Sequence, residues 1–154
     1  MKGIFRQDPP KPKLCTTWKV QDVLSYIREQ KSVEELSLKE LSHKLILLLA
    51  LTSAARAHEL AALDLTYMAE KEDSWEFVLN VHVKQSRPNH PGRKIYLPAY
   101  KECKHLCVVH TLKEYKKRTK VLRQSSQLLV AMVSPHGPIG SQTVSRWLRD
   151  ALTT

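Results

Sequence analysis

Ser37 stands three residues before Glu40, and behind that pair runs Leu41 to Leu51, a stretch dominated by leucine in which Ser42, His43 and Lys44 are the only polar positions. Ser-x-x-Glu at this spacing is a capping box, in which a hydroxyl and a carboxylate each satisfy a backbone N–H that the first helical turn leaves orphaned. Leu38, Leu41, Leu45, Leu48 and Leu49 continue at helical spacing. Because the run is apolar nearly all round, it predicts a helix buried at the centre of a domain. The apolar stretch to Ala55 is well short of the roughly 20 residues that cross a bilayer, so no membrane partner is expected. A chain of 154 residues is long enough to enclose one such helix in one domain and short for two.

Other elements arrange themselves around this helix. Residues 1–15 hold three prolines and several charges before any periodicity, and read as an extended arm or linker remnant. The domain is expected over 16–154, its first helix capped by Thr17 and carrying Val20, Val23, Leu24 and Ile27 on one face as far as Gln30. Thr52-Ser53 breaks the central helix before a second helical turn, Ala54 to Leu63. Trp75, Phe77, Leu79, Val81 and Val83 alternate with other residues at the period of a half-buried strand. After the turn residues QSRPNHPG, Lys94 to Leu97 return as a second strand. A helix is predicted over His105–Leu122, with Lys113, Lys116, Lys117, Arg118, Lys120 and Arg123 facing solvent. A short strand follows over Leu128–Val133, and then a last helix, capped by Ser141, carrying Val144, Trp147, Leu148 and Ala151. The fold class is α+β, mainly helical, with a small antiparallel sheet. Apolar residues at 42% and charged residues at 26% exclude a wholly disordered or fibrous chain.

The net charge is +10, and its placement says more than its size. Twelve bases stand against Glu102 and Glu114 between Lys84 and Arg123, while the stretch from Glu34 to Glu76 carries nine acids and four bases. A local excess of this kind fits a face for a polyanion better than it fits a uniform solubility margin. Cys15, Cys103 and Cys107 cannot all pair within one chain and no secretory leader precedes them, so a reducing, intracellular setting is expected. Cys103, His105, Cys107 and His110 offer four metal-ligating side chains within eight residues. Zinc sites usually draw their ligands from two separate knuckles, so reduced, partly buried thiols are the expectation and no metal or cofactor is assigned. Ser53, His58 and Asp64 lack the nucleophile elbow or glycine-rich loop that a hydrolase reading would need.

Several of these pieces, in their order, carry a resemblance. Leu51-Thr52-Ser53-Ala54-Ala55-Arg56-Ala57-His58-Glu59-Leu60 places an arginine on a helix turn three positions before a Glu-Leu pair. Val81-His82-Val83-Lys84 and Arg93-Lys94-Ile95-Tyr96-Leu97-Pro98 flank a basic hairpin tip. Leu106 to Tyr115, Leu128-Leu129-Val130 and Ser141 to Leu148 follow as helix, strand and helix. Together they resemble the front part of the catalytic domain of tyrosine recombinases, the phage-integrase-like family, closest in flavour to those of DIRS-type eukaryotic mobile elements. The resemblance implies a DNA breaking and rejoining fold, a role in DNA recombination and integration, double-stranded DNA as partner and a nuclear location. It makes Arg56 the first catalytic arginine, whose planar fork holds the scissile phosphate, and Glu59 a buried partner that orients its neighbours. Lys84 becomes the hairpin lysine that protonates the leaving 5′ oxygen. Arg87, Arg93, Lys94 and Arg146 become DNA-backbone contacts. Read without the resemblance, Arg56 and Glu59 are an i, i+3 surface pair and Lys84 a solvated loop lysine.

The family pattern is incomplete. No His-x-x-Arg follows the Trp147 helix, and all five tyrosines precede it, so the second arginine, the histidine motif and the tyrosine nucleophile are missing. The expectation is a truncated catalytic domain that binds DNA and does not cleave it alone, or a non-enzymatic nucleic-acid- or partner-binding module that keeps only the fold. A domain ending there is also expected to expose apolar surface on the Trp147 and leucine-rich helices, inviting self-association or a complete recombinase.

Overall fold

The computed structural model describes residues 19–79 and 93–153. The arm at 1–15, the Thr17 cap and the hairpin tip bearing Lys84 and Arg87 lie outside the described residues. The elements run α1 (Val20–Glu29), α2 (Leu38–Ser53), α3 (Ala57–Ala61), β1 (Met68–Glu70), β2 (Ser74–Val78), β3 (Lys94–Pro98), α4 (Val108–Thr119) and α5 (Ser141–Thr153), with short 3₁₀ turns at Leu65–Tyr67 and Lys104–Leu106. The class is therefore α+β, with helices dominant and one three-stranded antiparallel sheet.

The central helix begins as its residues dictate. Glu40 N–H donates to Ser37 Oγ at 3.2 Å and Ser37 N–H to Glu40 Oε2 at 2.8 Å, the reciprocal pair of a capping box. Leu41, Leu45, Leu48 and Leu49 are at most 2% exposed. Helices α4 and α5 and strand β3 all pack against α2, which is why it can be apolar on nearly every side. Trp147 is 4% exposed and α5 lies on both α2 and α3. The apolar exposure expected of the Trp147 and leucine-rich helices is thus not found among the described residues.

In the sheet, β2 is the middle strand, with Met68 opposite Phe77 on one side and Trp75 opposite Leu97 on the other. Trp75, Phe77, Ile95 and Leu97 point to the core, while Val78, Lys94 and Tyr96 face outward. The antiparallel pairing expected from alternation is there over Ser74–Val78 and Lys94–Pro98, while Val81 and Val83 lie outside the described residues, and β1 adds a third strand that three residues with no periodic signature did not announce.

Three further expectations are corrected. Leu128–Val133 is not a strand: Leu128, Leu129 and Val130 are buried, but only isolated bridges pair this segment, Gln127 with Asp64 and Val130 with Pro138. Side chains satisfy its backbone instead. The Tyr115 hydroxyl accepts from Val130 N–H at 3.1 Å, and Arg123 donates to the Leu128 carbonyl at 3.0 Å. Tyr115 is fully buried, and burial raises its pKa above the usual phenol value. The helix predicted from His105 starts at Val108, because Cys107 Sγ accepts from His110 N–H at 3.4 Å and caps it. Finally, Ser141 is inside α5, not its cap, since Val144 N–H reaches back to the Gly140 carbonyl.

Candidate nucleic-acid interface

Arg56 owes its position to the way α2 stops. Ser53 Oγ donates to the Leu49 carbonyl at 2.6 Å and accepts from Ala55 N–H at 3.2 Å, turning the hydroxyl into a stop for the helix. Ala54 takes the left-handed conformation at φ 53° as the C-cap, a backbone state that costs a residue with a Cβ about 1 kcal/mol or more. Arg56 then returns to extended backbone as the N-cap of α3. Two residues thus redirect the chain between helices, and the arginine stands at the elbow.

Glu59 organises this elbow. Its Oε2 accepts from Arg56 N–H at 2.8 Å, half of a capping box; the other half cannot form because a guanidinium has no acceptor. Its Oε1 takes the guanidinium of Arg93, which precedes β3. The Arg93 carbonyl meanwhile accepts from Leu79 N–H at 2.8 Å, carrying the sheet pairing up to this point. One carboxylate, 9% exposed, therefore joins the α2–α3 elbow to the hairpin. Burial pushes the Glu59 carboxyl up, but the hydrogen bonds from Arg56 N–H and Arg93 and the positive charge of Arg93 and His58 outweigh it, leaving its pKa below the ordinary value. Among the described residues the Arg56 guanidinium itself makes no hydrogen bond or ion pair, and the residue is exposed. The i, i+3 side-chain pair of Arg56 with Glu59 is thus replaced by a main-chain cap.

A depressed carboxyl stabilises the fold fully above its unfolded value, 4.5, and that contribution is lost as pH falls through the lower folded value. Glu59→Gln is accordingly expected to be less stable than the parent at neutral pH, with the difference shrinking as pH drops below that point. Urea midpoints across an acid series measure it; a constant difference would contradict the assignment.

The other sequence-derived positions are not all equivalent. Lys94 Nζ lies 3.7 Å from Glu76 on the outer face of the sheet, and Lys71 lies at the same distance from that carboxylate, so Glu76 offsets part of their charge. Arg146 is exposed on α5, the helix packed against α3, with no ion pair among the described residues. The structure brings Arg56, Glu59 and Arg93 together. It does not join Lys94 or Arg146 to them by any hydrogen bond, and Lys84 and Arg87 are outside the described residues. A His-x-x-Arg spacing occurs once in the chain, at His90-Pro91-Gly92-Arg93; it falls in the hairpin, and its arginine is the one committed to Glu59.

Part of the basic segment is architectural, contrary to the outward face expected for α4. Arg118 donates to the carbonyls of Val33 at 2.8 Å, Glu34 at 2.6 Å and Leu36, and to Glu114 at 3.0 Å. Arg123 donates to the Gln127 and Leu128 carbonyls and to Thr119 Oγ1 at 2.5 Å. Lys116 sits over the Trp75 ring at 5.5 Å and beside Glu70 at 3.5 Å. What remains turned to solvent on α4 is Lys113, Lys117 and, just past its end, Lys120. Among the described residues no three His, Cys, Asp or Glu side chains gather as a metal site, and no helix is long and apolar enough to cross a membrane. No family model, curated protein or solved structure gives a significant match to the chain.

Proposed function

We propose that the chain is a double-stranded DNA-binding domain, equivalent to the arginine-presenting front part of a tyrosine-recombinase-like catalytic domain. The observation that carries this reading is the Glu59 carboxylate, which holds the Arg56 backbone and the Arg93 guanidinium at one surface elbow, with no partner for the Arg56 guanidinium among the described residues. An unpaired, planar, permanently charged fork on a rigid elbow suits a phosphate, which it meets through two parallel hydrogen bonds. Lys84, Arg87, Lys94 and Arg146 would add contacts to neighbouring phosphates, which position a duplex without reading its bases. Strand cleavage in the family needs a tyrosine and a second arginine at positions these residues do not supply, so the property proposed is binding, in support of DNA recombination and integration in a nuclear setting.

The test is affinity for a labelled duplex across a salt series. The parent chain is expected to bind with log K falling linearly against log salt. Arg56→Ala should reduce that slope by about 1, and a Lys84/Arg87/Lys94 triple alanine variant by roughly 2–3, since each phosphate contact contributes about 0.9. Folded protein that ignores duplex DNA, or binds it with no dependence on salt, would sink the reading.

A further inference from the structure

Lys44 is the residue the apolar run hides. It lies on α2 among leucines, is 0% exposed, and its Nζ has no hydrogen-bond partner among the described residues. An ammonium taken out of water without an acceptor is costly, and such groups are normally paired. Burial lowers its pKa, opposed by the nearby Cys103 and Glu34.

This side chain lines a cavity of ≈ 220 Å³ shared with Ser32, Val33, Glu34, Lys104, His105 and His110. That is far above the roughly 10–15 Å³ that admits one water. Glu34, whose carboxylate opposes the shift of Lys44, is a wall of this cavity. A second cavity that Lys44 also borders, with Gln30, His43 and Asp150, lies elsewhere around the residue. The walls are made by the α1–α2 loop and the turn before α4. Arg118 holds that loop by three carbonyls, so one wall is braced rather than loose.

The lining is cationic. Lys44 and Lys104 border it with two imidazoles, Lys104 from an exposed position, and the one carboxylate, Glu34, has a side chain 58% exposed and stands 3.9 Å from His110 Nε2. Ser32 adds a hydroxyl. Two lysine side chains against one exposed carboxylate disfavour a cation here. The set supplies donors to an oxyanion, and a buried ammonium lacking an acceptor is the group such a ligand would complete.

We infer that the cavity bounded by Lys44, Lys104, His105 and His110 is a binding site for a phosphate group, with Lys44 Nζ as its buried donor. It stands apart from the Arg56 elbow, since Lys44 is in the second turn of α2 and Arg56 follows that helix's C-terminus, so it does not rest on the duplex-binding reading.

The isotopically labelled full chain, titrated with inorganic phosphate against chloride at matched ionic strength, tests this by amide chemical shifts. Saturable shifts centred on Ser32, Glu34 and Lys104 to His110 are expected. Lys44→Met should weaken phosphate binding about tenfold, the scale of losing one charge-assisted hydrogen bond. The methionine keeps an unbranched stem one atom shorter and removes an unpaired buried charge, so that variant should fold. Lys104→Ala, at an exposed position, gives a second reading, with a several-fold loss. A short DNA duplex forms a parallel arm: shifts at the same amides identify the phosphate as one of the nucleic-acid backbone, and shifts with inorganic phosphate alone identify a small ligand. Arg56→Ala is expected to weaken duplex binding without moving the inorganic-phosphate shifts at these amides. No saturable shift at these amides with either ligand, or equal affinity in the parent and Lys44→Met, overturns the site.

Discussion

Replacing Arg118 by methionine is expected to lower folding stability by about 2–4 kcal/mol, less than three isolated charge-assisted hydrogen bonds would sum to, because water can reach part of the vacated site. The guanidinium ties α4 to the carbonyls of Val33, Glu34 and Leu36 across the α1–α2 loop, and its side chain is 25% exposed. Arg118→Lys should recover only a fraction, since a point-charge ammonium cannot meet three carbonyls arranged around a planar fork. Denaturant midpoints give the comparison, and a loss under about 1 kcal/mol would mean the clamp is ornamental, within the range of ordinary surface substitutions. The same variant separates two kinds of basic residue. Per folded molecule, Arg118→Met should leave the salt dependence of duplex binding unchanged, whereas Arg56→Ala should alter that dependence and leave stability nearly untouched.

The larger loss is expected at Trp75. It is 0% exposed at the centre of the middle strand, opposite Leu97 on β3 and Glu70 on β1, with Lys116 across its ring. Trp75→Ala removes the biggest fully buried side chain and should cost about 3–5 kcal/mol, from lost burial and from the cavity left in a layer that cannot collapse. For a domain of typical stability that is enough to populate the unfolded chain visibly. Trp75→Phe should be much milder. Its indole N–H has no partner among the described residues, so the ring exchange loses volume without orphaning a carbonyl. A Trp75→Ala chain that unfolds at the parent's denaturant concentration would contradict the placement of the sheet against the core.

What could be read beforehand was local. The Ser37–Glu40 box and the leucine spacing of α2 lie within a few residues of each other, and the alternation around Trp75 repeats every second position, so both elements follow from neighbours in the chain. Glu59 was legible as a residue that orients others, but its partner was not, because Arg93 is 34 positions away. Arg118 and Arg123 were assigned to solvent because a helical face pattern sends long cations outward; their carbonyl partners sit in loops that no periodicity describes. Lys44 was passed over for the opposite reason, as one charge diluted in an apolar run. Leu128-Leu129-Val130 has the composition of a strand, yet tyrosine and arginine side chains supply the bonds a neighbouring strand would have made.

The elbow between α2 and α3 also sets what kinds of sequence change this surface can absorb. Arg56 and Glu59 move as one unit, because the carboxylate caps the turn that begins at the arginine, while Arg93 is fixed to the sheet. Adding or removing one residue between Ser53 and Arg56 would change the non-helical turn that redirects the chain and so carry that unit away from its partner. Small side chains at Ala55 and Ala57, which pack partly buried against the core, leave this alignment alone. The segment should therefore vary in spelling across descendants of this chain while holding its length.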